Sequence, residues 1–258
     1  MLETSSRLRL SAKTSLVLEE LASLGKAGTA KMYARHGVTE PSVGLSAADL
    51  ARLVKRLGVQ HDLAVELWKS GMHDARVLAT KIADPATMAA RELEAWMSEA
   101  SNYVITDALA ELAARLPGAR SLALRWIQSQ DEWRSAAGWN VVASLALAGG
   151  LDDTIALTLL QRIEKNMAGA YNRTRHSMNG ALIAIGGSHV EVRGRALEVA
   201  EKIGKVEVDH GQTSCKTPEA APYIRKMVEH AGRRQAPAKA SAVAAPAAAR
   251  RTSRRPKG

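Results

Sequence analysis

The chain has 258 residues, of which 46% are hydrophobic, and carries a formal net charge of +10. That length holds one sizeable domain or two small ones with a real core, and the apolar content excludes a wholly disordered protein. A single cysteine, Cys215, excludes an intrachain disulfide, and no apolar run approaches the length of a membrane span.

The first thirty residues read as an N-terminal helical segment. The opening stretch MLETSSRLRLSAKTSLVLEEL lacks the uninterrupted apolar region of a secretory signal, and Glu3, Glu19 and Glu20 argue against a transit peptide. The expected location is cytoplasmic, on the nucleoid if the source is bacterial. Ala and Leu are abundant and Phe is absent. Both are strong helix formers and β-branched runs are scarce, so the expected fold class is all-α.

From residue 46 the chain reads as short helices separated by polar turns. SAADLARLVKRLG starts at Ser46 as an N-cap and stops at Gly58 as a C-cap. HDLAVELWKSG, HDARVLATKIAD, ARELEAWMSEAS and NYVITDALAELAARLPG follow. ARSLALRWIQSQ, DEWRSAAGWNVVASLALAGG, DDTIALTLLQRIEKN, NRTRHSMNGALIAIGG and VRGRALEVAEKIG continue the series. Each has apolar residues at helical spacing.

These segments pair. A first member rich in Leu and ending near Trp68, Trp96 or Trp126 precedes a second that opens polar and turns Ala-rich. Second members begin near Asp74, Tyr103, Trp133 and Thr174, roughly 30–40 residues apart. That period predicts a HEAT- or armadillo-like α–α superhelix over residues 31–232. Second helices of such pairs line the concave side, so their first turns point into one groove. Helix N-termini favour phosphate, and Arg76, Arg134, Arg173, Arg175 and His176 lie near such starts.

Beyond the repeats, VEVDHGQTSCKTPEAAPYI brings Asp209, His210 and Cys215 together. Their spacing matches no standard zinc pattern, so the stretch reads as a structured turn before a last helix opened by Pro218. We assign no metal and no cofactor from the sequence. After Glu229 there is no acidic residue, and positions 233–258 hold eight of the ten net positive charges. This Ala/Pro/Arg-rich tail reads as disordered and as a sequence-independent phosphate binder. The body that remains is near neutral and binds an anion only if its charges are segregated on one face.

Tyr103 and Asp107 are one turn apart and share a helix face. Taken alone, such a pair is readable as an acid bonded to a neighbouring helix beside a partly buried phenol. In KMYARHGV, LAVELWKSGMHDARVLATKIA, NYVITDAL, DEWRSAAGWNVV and RHSMNGALIAIG, however, the chain resembles the DNA alkylation-repair glycosylases built from HEAT-like repeats, the AlkD-like family. The resemblance spans roughly residues 30 to 230.

It implies a protein, expected to be monomeric, that wraps alkylated or distorted double-stranded DNA and hydrolyses the N-glycosidic bond of cationic purines such as 3-methyladenine and 7-methylguanine. It implies Asp107 as the catalytic carboxylate and Tyr103 in place of the family's usual Trp. Arg76, Arg134, Arg173, Arg175 and His176 are then the DNA contacts. Ser135 and Ala136 stand where the family carries Arg, and Gly180 stands where it carries a second Trp, a role Trp139 is expected to take over. A shape-reading DNA-binding protein without excision is the alternative, and a protein-binding helical scaffold a third reading.

Overall fold

The structure, a computed structural model, describes residues 2–235. Among them are thirteen α-helices, one short 3-10 turn and no strand. The sequence-based expectation for the tail lies outside the described residues from 236 onward. Its first residues belong to the last helix, where Arg233 pairs with Glu229 one turn back.

Two N-terminal helices, α1 (Leu2–Leu24) and α2 (Ala27–Arg35), precede α3 (Ala47–Leu57). Helix pairs follow: α4 (His61–Lys69) with α5 (His73–Ile82), α6 (Ala90–Ser98) with α7 (Tyr103–Ala113), and α8 (Ala119–Trp126) with α9 (Glu132–Leu147). Next come α10 (Asp153–Asn166) with α11 (Asn172–Ser188), and α12 (Arg193–Ile203) with α13 (Ala220–Gln235). Helices α5, α7, α9, α11 and α13 pack successively into an inner row, each backed by the preceding helix of its pair. The result is a two-layered α–α superhelix of the HEAT-like kind, as the 30–40-residue period predicts.

The caps explain where the helices start. Ser46, Asn102, Asp131 and Asp152 each accept a hydrogen bond from the backbone N–H three residues on, at 3.2, 3.1, 2.8 and 2.9 Å. Each satisfies a donor the first turn leaves orphaned. Pro218 does not open the last helix, which begins at Ala220; the Pro218 carbonyl instead accepts from Asn179 Nδ2 at 2.9 Å.

One core runs from Val17 on α1 to Ile224 on α13. Ala75, Ala79, Ala110, Ala113, Ala137, Ala181 and Ala184 bring the inner helices close, since a methyl group is all that separates their backbones. Trp68 and Trp96 stack in parallel at 4.4 Å between centroids, and the Trp126 indole donates to Glu94 Oε1 at 2.8 Å. The boundary expected at residues 30/31 falls within an element of this array. It bisects α2, and Val17 and Leu21 on α1 belong to the common core. Among the described residues no helix is long and apolar enough to cross a membrane.

The segment between α2 and α3 is anchored from both sides. Buried Asp74, at the start of α5, accepts from Ser42 Oγ and from the backbone N–H groups of Val43 and Leu45 at 2.7–2.8 Å. Gly44 is required there: it adopts φ +76°, and a Cβ would fall 2.3 Å from the Lys26 carbonyl oxygen. Glu40 accepts from Asn102 Nδ2 at 3.0 and 3.2 Å. The segment is thereby tied to α5 and to the N-cap of α7, which carries Arg35 and His36 to Tyr103.

Candidate functional site

The first turns of α7, α9 and α11 meet the α2–α3 segment and the 209–216 turn around a cavity of about 550 Å³. Its walls carry Tyr103 and Asp107 from α7, Trp133 from α9, and Arg173 and His176 from α11. Arg35, His36 and Lys216 close it. Polar groups converge on a space of ordinary ligand-pocket size.

Asp107 sits at the centre of its electrostatics. One carboxylate oxygen accepts from Asn140 Nδ2 at 2.7 Å, and among the described residues no Lys, Arg or His forms an ion pair with it. Burial pushes its pKa up to about 6; nearby Arg173 and the Asn140 amide pull the other way. Asn140 comes from α9, two turns after Trp133 on the same helix face, so α9 supplies both an aromatic wall and the acid's hydrogen-bond donor.

The Arg173 guanidinium lies over the Tyr103 ring at 4.2 Å from its centroid, within cation–π range. The Tyr103 hydroxyl hydrogen-bonds His36 Nδ1, and burial raises the phenol's pKa, so it is neutral. Glu132 Oε1 accepts from the Arg173 backbone N–H at 2.6 Å, placing a carboxylate on the α11 N-terminus. His176 is pushed down to about 4 by burial, then by Arg173 and His210. Burial and Arg173 also lower His210. Both rings are neutral near pH 7, and the cations of the cavity are Arg35, Arg173 and Lys216.

The predicted site residues divide. Tyr103, Asp107, Arg173 and His176 come together; Arg76, Arg134, Trp139 and Arg175 do not join them. The Arg76 guanidinium pairs with Glu99 and covers the Trp68 ring at 4.9 Å, so it is a packing residue. Arg134 sits one residue round the helix from Trp133 and faces Glu94, with Nε 3.6 Å from the carboxylate. Trp139 is 1% exposed and packed in the core, because six residues past Trp133 the helix has turned well away from the cavity. The aromatic wall is Trp133. Arg175 lines a different cavity with Glu164 and Lys202, two residues and therefore about 200° away from Arg173. Gly180 lies on the same face of α11 as Arg173 and His176, and a Cβ built on it meets nothing within 4 Å.

The 209–216 turn is the largest addition to the sequence-based picture. Asn172 and Asp209 exchange hydrogen bonds at 2.7 and 2.8 Å, and Thr217 Oγ1 meets His210 Nε2 at 2.9 Å. Among the described residues no group of His, Cys, Asp and Glu is arranged to hold a metal ion. Asp209 and His210 serve the turn, and Cys215 is exposed at its edge.

A family model described as DNA alkylation repair enzyme matches residues 17–224. The chain belongs to that family. Two relatives of comparable length, the uncharacterized proteins Lin0241 of Listeria innocua and Lmo0209 of Listeria monocytogenes, are each 32% identical over 213 residues, which is 80% of this chain and 93% of theirs. A solved structure from a new family of proteins related to the HEAT-like repeat DNA glycosylases, with affinity for branched DNA structures, superposes with a TM-score of 0.78. It is 28% identical and covers 84% of this chain and 94% of its own. For a DNA alkylation repair family member, the two departures noted in the sequence have a structural form: Ser135 and Ala136 are buried and do not line the Asp107 cavity, and Gly180 offers no side chain where a Cβ would meet nothing within 4 Å.

Proposed function

We propose that the protein binds alkylated duplex DNA across the cleft and hydrolyses the N-glycosidic bond of cationic alkylated purines, with Asp107 as the catalytic carboxylate. One observation carries the reading: a flat, delocalised cation, the Arg173 guanidinium, stacks on Tyr103 beside a half-buried acid. A protonation-independent cationic purine has the same shape and charge character. It would take this place as the arginine swings toward a phosphate.

The chemistry needs little else. A purine alkylated at N3 or N7 already bears positive charge, so the C1′–N9 bond breaks with its electron pair passing to the base, which departs neutral. The sugar becomes oxocarbenium-like, and the Asp107 carboxylate stabilises that charge. Water adds to C1′ and gives its proton to Asp107, leaving a hemiacetal hydroxyl on an abasic sugar. Asn140 occupies one carboxylate oxygen and leaves the other for this work. Trp133 supplies the second flat wall, Arg35 and Lys216 are the phosphate-binding cations, and neutral His176 contributes a hydrogen bond in place of a charge.

A second reading is favoured by the open wall at Gly180 and by a site whose cation–π position is already filled from within: a protein that holds branched DNA without excision, as the structural neighbour's affinity would suggest. Release of 7-methylguanine from methylated duplex DNA separates the two. Excision predicts release by the intact protein and loss with Asp107→Asn; binding alone predicts neither.

A further inference from the structure

A second cleft, of about 750 Å³, opens on the other side of the 209–216 turn, between that turn and α13. His210, Cys215 and Lys216 line both clefts, so the turn is their shared wall. In the second cleft Tyr223 is 45% exposed, an unusual fate for a tyrosine on a helix that buries Ala220, Ala221 and Ile224 to either side of it. Lys226 follows one turn later on the same face of α13, and Lys216 stands across the cleft.

The charge is unevenly used. Lys205 pairs with Glu207 at 2.6 Å, and Glu219 also lines the cleft. Lys216 and Lys226 are exposed and have no carboxylate partner among the described residues. An exposed aromatic face flanked by two unpaired lysines is the combination that takes an unstacked base and its neighbouring phosphates. Paired bases do not present their faces, so a duplex would leave Tyr223 without a partner.

We propose that this second cleft holds a single-stranded arm of DNA branching from a duplex seated in the first, with Tyr223 stacking on a base and Lys216 and Lys226 holding phosphates. The proposal rests on the DNA-binding reading of the Asp107 cleft and adds to it a structure-selective partner. It does not depend on excision.

Fluorescence anisotropy of the full chain on a blunt duplex, and on the same duplex bearing a single-stranded thymidine flap, tests it. The flapped DNA is expected to bind roughly tenfold tighter. Tyr223→Ala should erase most of that preference and leave blunt-duplex affinity unchanged, while Tyr223→Phe should keep it. Lys226→Ala should lower the salt slope on flapped DNA by about one unit. Equal loss on both DNAs, or no loss on the flap, overturns the second cleft as a single-strand site while leaving duplex binding standing. Failure of the unaltered protein to bind either DNA overturns the DNA reading itself, and this inference with it.

Discussion

The outer side of the helix pairs and the inner cleft treat charge in opposite ways. Behind the array, Glu94 is buried enough to resist ionisation, yet Arg125, Trp126 and Arg134 together hold it below the ordinary carboxylate value. Glu99 similarly takes Arg76 and the Trp68 indole. In the cleft, Asp107 receives one neutral amide and is pushed up to about 6. The outer carboxylates are paired with cations, whereas the cleft acid keeps one oxygen without a hydrogen-bond partner among the described residues. The comparison also sorts the arginines: Arg76 and Arg134 belong to the first region and Arg173 to the second.

The largest effect should come from the outer side. Trp126→Ala removes a 1%-exposed indole and is expected to lower unfolding free energy by about 3–5 kcal/mol in a urea titration. A loss under about 1 kcal/mol would mean that the belt of tryptophans is not what holds the outer layer together.

The cleft should behave in reverse. Asp107 has a folded pKa near 6, above its usual 3.8, so the folded chain holds this proton more tightly than the unfolded one. That contribution is fully present below about pH 4 and is lost as pH rises through 6. Asp107→Asn should therefore stabilise the protein by about 1–2 kcal/mol at pH 8, with the advantage gone near pH 4. A variant that is less stable at pH 8 would place Asp107 with the structural charges.

Removing the amide sharpens the contrast. With Asn140→Ala, the midpoint of the pH–rate profile for base release should rise above 6, and release at neutral pH should slow about tenfold. An unmoved midpoint would show that Asn140 does not govern the acid. The smallest effect is expected from Arg134→Gln, with duplex affinity within about twofold of the unaltered protein, because its charge is spent on Glu94. Arg173→Gln should weaken binding at least fivefold and reduce the salt slope by about one. Equal effects from the two would erase the distinction between the regions.

The helices and their pairing were legible in the sequence. The inner helices begin at His73, Tyr103, Glu132 and Asn172, each within two residues of the expected Asp74, Tyr103, Trp133 and Thr174. Cap residues and the switch from Leu-rich to Ala-rich composition carry that information locally. The resemblance supplied the pairing of Tyr103 with Asp107.

What stayed hidden was rotation. Trp133 and Trp139, or Arg173 and Arg175, differ by a few positions and by much of a helical turn, and only packing against neighbours decides which one faces the cleft. The sequence carried a usable signal in one case: Asn140 lies seven residues after Trp133, the spacing that keeps two side chains on one face. For the 209–216 turn there was none, since its place beside α7 depends on contacts such as Asn172 with Asp209 that join distant parts of the chain.

The central claim is that Asp107 stabilises positive charge growing on a deoxyribose. Its most direct measurement is the rate of 7-methylguanine release from methylated duplex DNA at pH 7.5, for the unaltered protein and for Asp107→Asn. The account predicts release well above the spontaneous rate and a loss of about 100- to 1,000-fold in the variant, with duplex affinity retained. Release at the spontaneous rate from the unaltered protein, or an equal rate from the variant, would contradict it.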